Sequence, residues 1–241
     1  MKPIAIFRYT KTEGPGYFAT FLDSRSIPWQ LIAIDQGDVV PADVDAFSGL
    51  CLMGGPMSVN DPLPWIAPLC ALIRAADAKS IPVIGHCLGG QLMSKAFGGQ
   101  VTRNPVKEIG WGNARAEDND SARHWFGNWL AETGGQADVF QWHGETFSLP
   151  HGAQRLLSND FCSNQMFCRG PHLAMQCHVE MTPAMIAEWC DSWPNEVHGL
   201  DPLPTTVQTP EQMQEKTSTR LPAMRKLADQ LYFVWINGLK N

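Results

Sequence analysis

The sequence predicts an α/β protein built on an open, mostly parallel but mixed sheet flanked by helices. Three observations carry this expectation. Strand-like and helix-like segments alternate through the first hundred residues at the spacing of right-handed β–α–β crossovers. The second half offers short strand candidates joined by turns rather than helices, a pattern that adds antiparallel strands to a parallel core. The chain has 241 residues, 44% apolar and 17% charged, which is enough to bury a substantial core and too little charge for a mainly disordered chain.

The elements follow in order. Residues 3–7 read as a strand, 16–25 as a short amphipathic helix, and 29–34 and 49–53 as further strands. Over 64–79 apolar residues recur at helical spacing, at Ile66, Leu69, Cys70 and Ile73; 81–85 reads as a strand, and 89–97 as a helix closed by Gly98-Gly99. The short strand candidates beyond are 109–116, 139–142, 155–157, 165–167 and 173–177. Residues 192–222 carry Pro194, Pro202, Pro204, Pro210 and Pro222 among polar residues and read as a long connection with room for a helix within it. A final helix is expected over about 222–238, with Met224, Leu227, Leu231 and Val234 on one face. With no repeat or linker, 1–241 reads as one domain: a core over about 3–190, then the irregular connection and the terminal helix over 191–241.

Charge and cysteine usage exclude several classes. The 18 Lys+Arg against 24 Asp+Glu give −6 with no basic cluster, so no nucleic-acid partner is expected. The apolar run at the start is too short for a signal peptide, and no run spans a bilayer, so the expectation is a soluble cytoplasmic protein with no membrane partner. The seven cysteines, 51, 70, 87, 162, 168, 177 and 190, form no C-x-x-C pair, so neither a zinc ribbon nor a thioredoxin-type redox pair is indicated, and without a secretory signal no disulfide framework is expected.

One of the seven stands apart. In Gly85-His86-Cys87-Leu88-Gly89-Gly90-Gln91 a cysteine lies between a strand and a helix start, with glycine two residues to either side. A nucleophile on such a turn stands above the carboxyl edge of the sheet, and its strained backbone needs small neighbours. The helix start aims N–H groups at the sulfur, which favours the thiolate, and the Leu88 N–H is placed to donate to an oxyanion. The thiolate needs a base and the base an orienting group. Two His-x-Glu motifs could supply them, His143-Gly144-Glu145 and His178-Val179-Glu180, because residues i and i+2 of an extended chain face the same side. Local pattern does not choose between them. Gly54-Gly55-Pro56, after the third strand, lies at the same carboxyl edge and can offer a second oxyanion donor.

In this order the four motifs resemble the class I, or triad-type, glutamine amidotransferases, in the standalone group similar to the glutamine-hydrolysing domain of GMP synthase. The resemblance covers about residues 3–190 and implies a flavodoxin-like three-layer fold. It makes Cys87 the nucleophile, His178 the general acid/base and Glu180 its orienter, thereby deciding between the two His-x-Glu motifs. It assigns Gly55 and Leu88 N–H groups to the oxyanion hole, and Gln91 with Trp142, His143, Gly144 and Glu145 to the glutamine head group. Val179 stands where the family has Pro, and Gly90 where a larger residue is commoner; neither position carries a catalytic side chain, so altered rigidity and pocket shape are expected. The implied reaction is hydrolysis of the γ-amide of glutamine, or of a related γ-glutamyl amide, through a γ-glutamyl thioester, with no metal and no cofactor. Either a separate synthetase subunit accepts the ammonia, or the protein is a free-standing γ-glutamyl peptidase or hydrolase acting on larger compounds. A catalytically silent binding module is the remaining alternative. The chain order of nucleophile, His and Glu disfavours an α/β-hydrolase, and Leu88 stands where related intracellular peptidases place a histidine.

Overall fold

Strands buried on both faces alternate their side chains between two cores, and the first half of the chain does this closely. In the computed structural model, which describes residues 1–197 and 200–240, strand β1 (Ile4–Arg8) sends Ile4 and Ile6 into one core and Ala5 and Phe7 into the other. Strands β2 (Trp29–Ala33), β3 (Gly49–Leu52) and β4 (Val83–His86) join it in parallel. Helices α2 (Ile66–Ala78) and α3 (Leu88–Ala96) pack on the Ala5 side, whereas α1 (Gly16–Asp23) covers the Ile4 side. This is the predicted arrangement of a sheet covered on both faces.

The second half contributes β5 (Val101–Ala116), β6 (Gln136–Phe147), β7 (Gln154–Ser158), β8 (Met166–Arg169) and β9 (His172–Met175). They complete a nine-stranded sheet of order β2-β1-β3-β4-β9-β8-β7-β5-β6. β9 runs parallel to β4, and every pairing beyond it is antiparallel. The sequence expectation of a mixed sheet is met, but β5 and β6 are much longer than 109–116 and 139–142. Pro105, which argues against a strand, is accommodated because the register shifts between Arg103 and Glu108.

Three helices follow the alternation less visibly. α4 (Asp120–Phe126) starts at Asn119, whose side chain accepts from the Ala122 N–H, and α5 (Trp129–Thr133) is a single short turn; neither was anticipated. α6 (Pro183–Ser192) begins at Thr182, whose side chain accepts from the Met185 N–H, with Pro183 in the first turn. The last helix, α7 (Pro210–Ile236), supplies the helix for which 192–222 left room and corrects 222 as a helix start, since the two stretches form one helix. It begins twelve residues earlier, on a Thr209–Gln212 capping box with Pro210 in the first turn, and Pro222 lies inside it. Met213, Thr217, Leu221, Met224, Leu227, Ala228, Leu231 and Trp235 form one buried stripe, which outweighs the hydrogen bond lost at Pro222. Upstream, the connection is stitched to β5, with Ile109 N–H donating to Thr206 and Gln208 N–H to Ile109 (both 2.9 Å). Among the described residues no helix is long and apolar enough to cross a membrane.

Glycine packing locks α3 to the sheet. A Cβ on Gly85 would come within 2.5 Å of Gly89 backbone, and one on Gly90 would run into the Met175 carbonyl and lie 3.0 Å from the Met175 backbone N and C. Gly90, the departure from the family pattern, is thus where helix and β9 touch backbone to backbone. Gly90→Ala is expected to lower stability by about 1–2 kcal/mol, since a backbone clash outweighs the roughly 1 kcal/mol gained in helix propensity. Thermal unfolding checks this; an unchanged or higher Tm would show that the contact yields freely.

Candidate active site

The turn from β4 to α3 holds Cys87 at φ 48° and ψ −106°, a left-handed conformation that costs a non-glycine residue about 1–3 kcal/mol. Leu88 opens the helix, and Gln91 N–H donates to the Cys87 carbonyl at 3.0 Å as its first closing bond. Cys87 is 7% exposed and lines a cavity of about 200 Å³ at the carboxyl edge of the parallel strands. The remaining six cysteines are buried, and burial raises the pKa of each thiol. Cys177, next to His178, turns away toward the Gln165 carbonyl.

β9 delivers the imidazole. His178 follows it and is clasped to β6 by a reciprocal pair of backbone bonds with Phe140 (2.8 and 3.1 Å), while its ring stands edge-on to Trp189 at 4.9 Å. Its Nδ1 meets Glu180 Oε1 at 2.6 Å, and Glu180 Oε2 accepts from the Val179 N–H at 2.9 Å. Burial alone would lower the His178 pKa, but Glu180 and the Cys87 thiol overcome it and hold the pKa well above the ordinary imidazole value. Burial would likewise raise Glu180, yet the His178 charge and the hydrogen bonds to the carboxylate hold it at about 2. Behind the pair, His86 Nε2 lies 3.1 Å from the Tyr232 hydroxyl of α7 and 3.9 Å from Glu180 Oε2.

The second His-x-Glu motif behaves differently. Glu145 does not reach its own histidine; its carboxylate accepts from the Ser58 hydroxyl at 2.9 and 3.2 Å. His143 instead bonds the Glu145 backbone carbonyl through Nδ1 (3.0 Å) and faces Glu108 at 3.1 Å. The same-side argument therefore holds for His178 and fails for His143, where the extended chain presents the carboxylate to the cavity. Glu108, His143 and Cys162 bring one metal-type donor atom each within 4.8 Å of one another. Glu108 already accepts from Asn159 (2.7 Å) and Gln165 (3.0 Å), so we read the group as a clasp that fixes the 143–145 loop.

The cavity brings together Gly55, Cys87, Gln91, Trp142, His143, Gly144, Glu145 and His178. Glu180 and Leu88 do not line it: the first stands behind the imidazole, the second beneath Gly55, where a Cβ would lie 2.7 Å from Leu88 Cδ2. The Trp142 carbonyl lies 3.9 Å from Cys87 Sγ. Gln91 donates to Gln176 at 3.2 Å, and Gln176 donates to Cys87 Sγ at 3.5 Å. Gln176 was missed, although it stands two residues before His178 and so faces the same way as the imidazole. Glu13, Trp189, Trp193 and Glu196 were also missed as pocket residues. Glu13 belongs to a loop without a motif, and Trp189, Trp193 and Glu196 follow the last motif in the chain.

Fold and site together define an α/β protein with a cysteine on a strand-to-helix elbow, faced by a His–Glu pair from the segment just after the neighbouring strand. Residues 22–186 match the family described as glutamine amidotransferase class-I, and the chain belongs to that family. It is similar to the crystal structure of a glutamine amido transferase from Methylobacillus flagellatus, with 41% identity and TM-score 0.95 over 100% of this chain and 96% of that one. It is 28% identical to gamma-glutamyl peptidase 3 of Arabidopsis thaliana over 75% of each chain. It is also 32% identical to the GMP synthase [glutamine-hydrolyzing] of Azoarcus sp. over 47% of this chain and 21% of that protein.

Proposed function

We propose that the protein is a cysteine amidohydrolase that cleaves the γ-amide of glutamine or of a larger γ-glutamyl amide. The observation that carries this is the juxtaposition of the Cys87 elbow with His178, itself hydrogen-bonded to a buried, ionised Glu180. The Cys87 thiolate adds to the carbonyl carbon of the γ-amide, forming the S–C bond, while the carbonyl oxygen takes negative charge facing the N–H groups of Leu88 and Gly55. Collapse breaks the C–N bond as the His178 imidazolium gives its proton to the departing nitrogen. Water then attacks the thioester, His178 takes a water proton, and the S–C bond breaks to release glutamate and restore the thiolate. Ser58–Glu145, Gln91 and the Trp142 backbone are proposed to hold the γ-glutamyl head group.

Likeness to both a γ-glutamyl peptidase and GMP synthases supports two settings for this chemistry, a free-standing hydrolase and an ammonia source for a synthetase partner. The test is acid-quenched mass spectrometry after mixing with L-glutamine and with γ-glutamyl alkylamides, together with glutamate and amine assays. One γ-glutamyl group on Cys87 and equimolar glutamate and amine are expected. No adduct and no release from any amide would overturn the proposal in favour of a binding module. Slow release from glutamine that rises when a co-purified synthetase is added would select the partnered setting.

A further inference from the structure

The cavity has two chemically distinct walls. One carries Ser58, Glu145 and Gln91. The other, beside His178, carries Glu13, Trp189, Trp193 and Glu196, and among the described residues no lysine or arginine lines the cavity. All four residues of the second wall lie outside the family match of residues 22–186.

Glu13 is the unusual member. It is 5% exposed, lies beside His178 and makes no side-chain hydrogen bond to any described residue. A Cβ on Gly54 would collide with its Oε2 and stand 3.2 Å from His178 Cε1, so no larger residue than glycine leaves room for it. A buried carboxyl without a partner is costly unless a ligand supplies one. Burial pushes it up to about 8; the His178 charge opposes this, while Glu180 and Glu196 add to it. It is therefore mostly protonated at neutral pH, and an arriving cation would readily convert it to a carboxylate. Glu196 lies further out, with its side chain 39% exposed and 2.7 Å from Lys107. Between the two depths, the Trp189 and Trp193 rings lie 5.2 Å apart with Trp142 at 5.6–5.8 Å from them, a corner suited to an aliphatic chain and to a cation over an aromatic face.

Resting on the amidohydrolase reading, we propose that this wall is the leaving-amine subsite and that it selects γ-glutamyl amides of diamines, whose leaving group carries a second ammonium. The departing nitrogen must face His178 to receive its proton, which directs the rest of the leaving group along Glu13 and the tryptophans toward Glu196. A leaving group ending in a carboxylate, as in a γ-glutamyl peptide, would find no such match on this wall, where Lys107 is already paired with Glu196 at 2.7 Å and Glu13 lies buried.

Three near-isosteric substrates test this: the γ-glutamyl amides of 1,4-diaminobutane, butylamine and 4-aminobutyrate, assayed for amine release beside glutamine. The diamine amide is expected to exceed the butylamide in kcat/KM by about tenfold or more, the size of one charge-assisted hydrogen bond, with the 4-aminobutyrate amide slowest. In Glu13→Gln, and separately in the more exposed Glu196→Gln, the diamine-to-butylamine ratio measured within each variant is expected to fall toward one. Equal rates for the three amides, or a preference for the carboxylate, would overturn the subsite assignment and leave the hydrolase reading intact. No release from any of the four substrates would remove the reading beneath it.

Discussion

Cys87→Ala is expected to abolish turnover, lowering glutamate release from glutamine and from every γ-glutamyl amide by at least about 10⁴-fold. Without the sulfur there is no acyl acceptor, and a water placed by His178 cannot use the strained elbow geometry. Alanine keeps the positive φ that Cys87 already bears, so the backbone strain is unchanged and Tm should move by no more than about 2 °C. The variant should still bind a γ-glutamyl amide by calorimetry, because the Ser58–Glu145 and Gln91–Gln176 contacts survive. Turnover above a hundredth of the parent rate in a correctly folded variant would move the nucleophile elsewhere.

Glu180→Gln carries the second large effect, through positioning rather than contact with the reacting atoms. The carboxylate opposes the burial that would otherwise lower the His178 pKa, so its removal should shift the alkaline limb of the pH–rate profile to lower pH. A fall in kcat of about 10²–10³-fold is expected, since the imidazolium is then both misoriented and less populated. Stability changes with a definite sign. The folded pKa of Glu180 is about 2, below the ordinary 4.5, so its contribution is present above pH 4.5 and is lost as pH falls toward 2. That contribution is on the order of 3 kcal/mol at neutral pH. The Tm gap between parent and variant should therefore be wide at pH 7 and narrow by pH 3. A gap independent of pH, with an unmoved alkaline limb, would mean that Glu180 is only a packing residue.

The sequence was most legible where one force decides the outcome. Strands β1, β3 and β4 are apolar on both faces, and the elbow announces itself through glycines at 85 and 89 that no other residue could replace. It was less legible where tertiary contacts override local signals. Pro105 and charged neighbours hide the first half of β5, which exists because a bulge absorbs the proline and β6 supplies the partner. Pro222 resembles a helix start, yet the buried stripe on either side of it continues one helix. At the site, the cysteine and the His–Glu pair follow a local pattern. Glu13 does not: its importance comes from a cavity closed by α6 and the turn after it, segments more than 160 residues away in sequence.

The pairing of β4 with β9 also sets an order of events during biosynthesis. Ile84 lies opposite Leu173, so the elbow is translated long before the strand that carries the imidazole to it. A nascent chain halfway through synthesis has its thiol but lacks both His178 and Glu180, and closing a loop of this length is among the slower steps open to a folding domain. If Cys87 is the nucleophile proposed above, its activation must wait until the β4–β9 ladder forms, which makes that single register a checkpoint joining folding to chemistry.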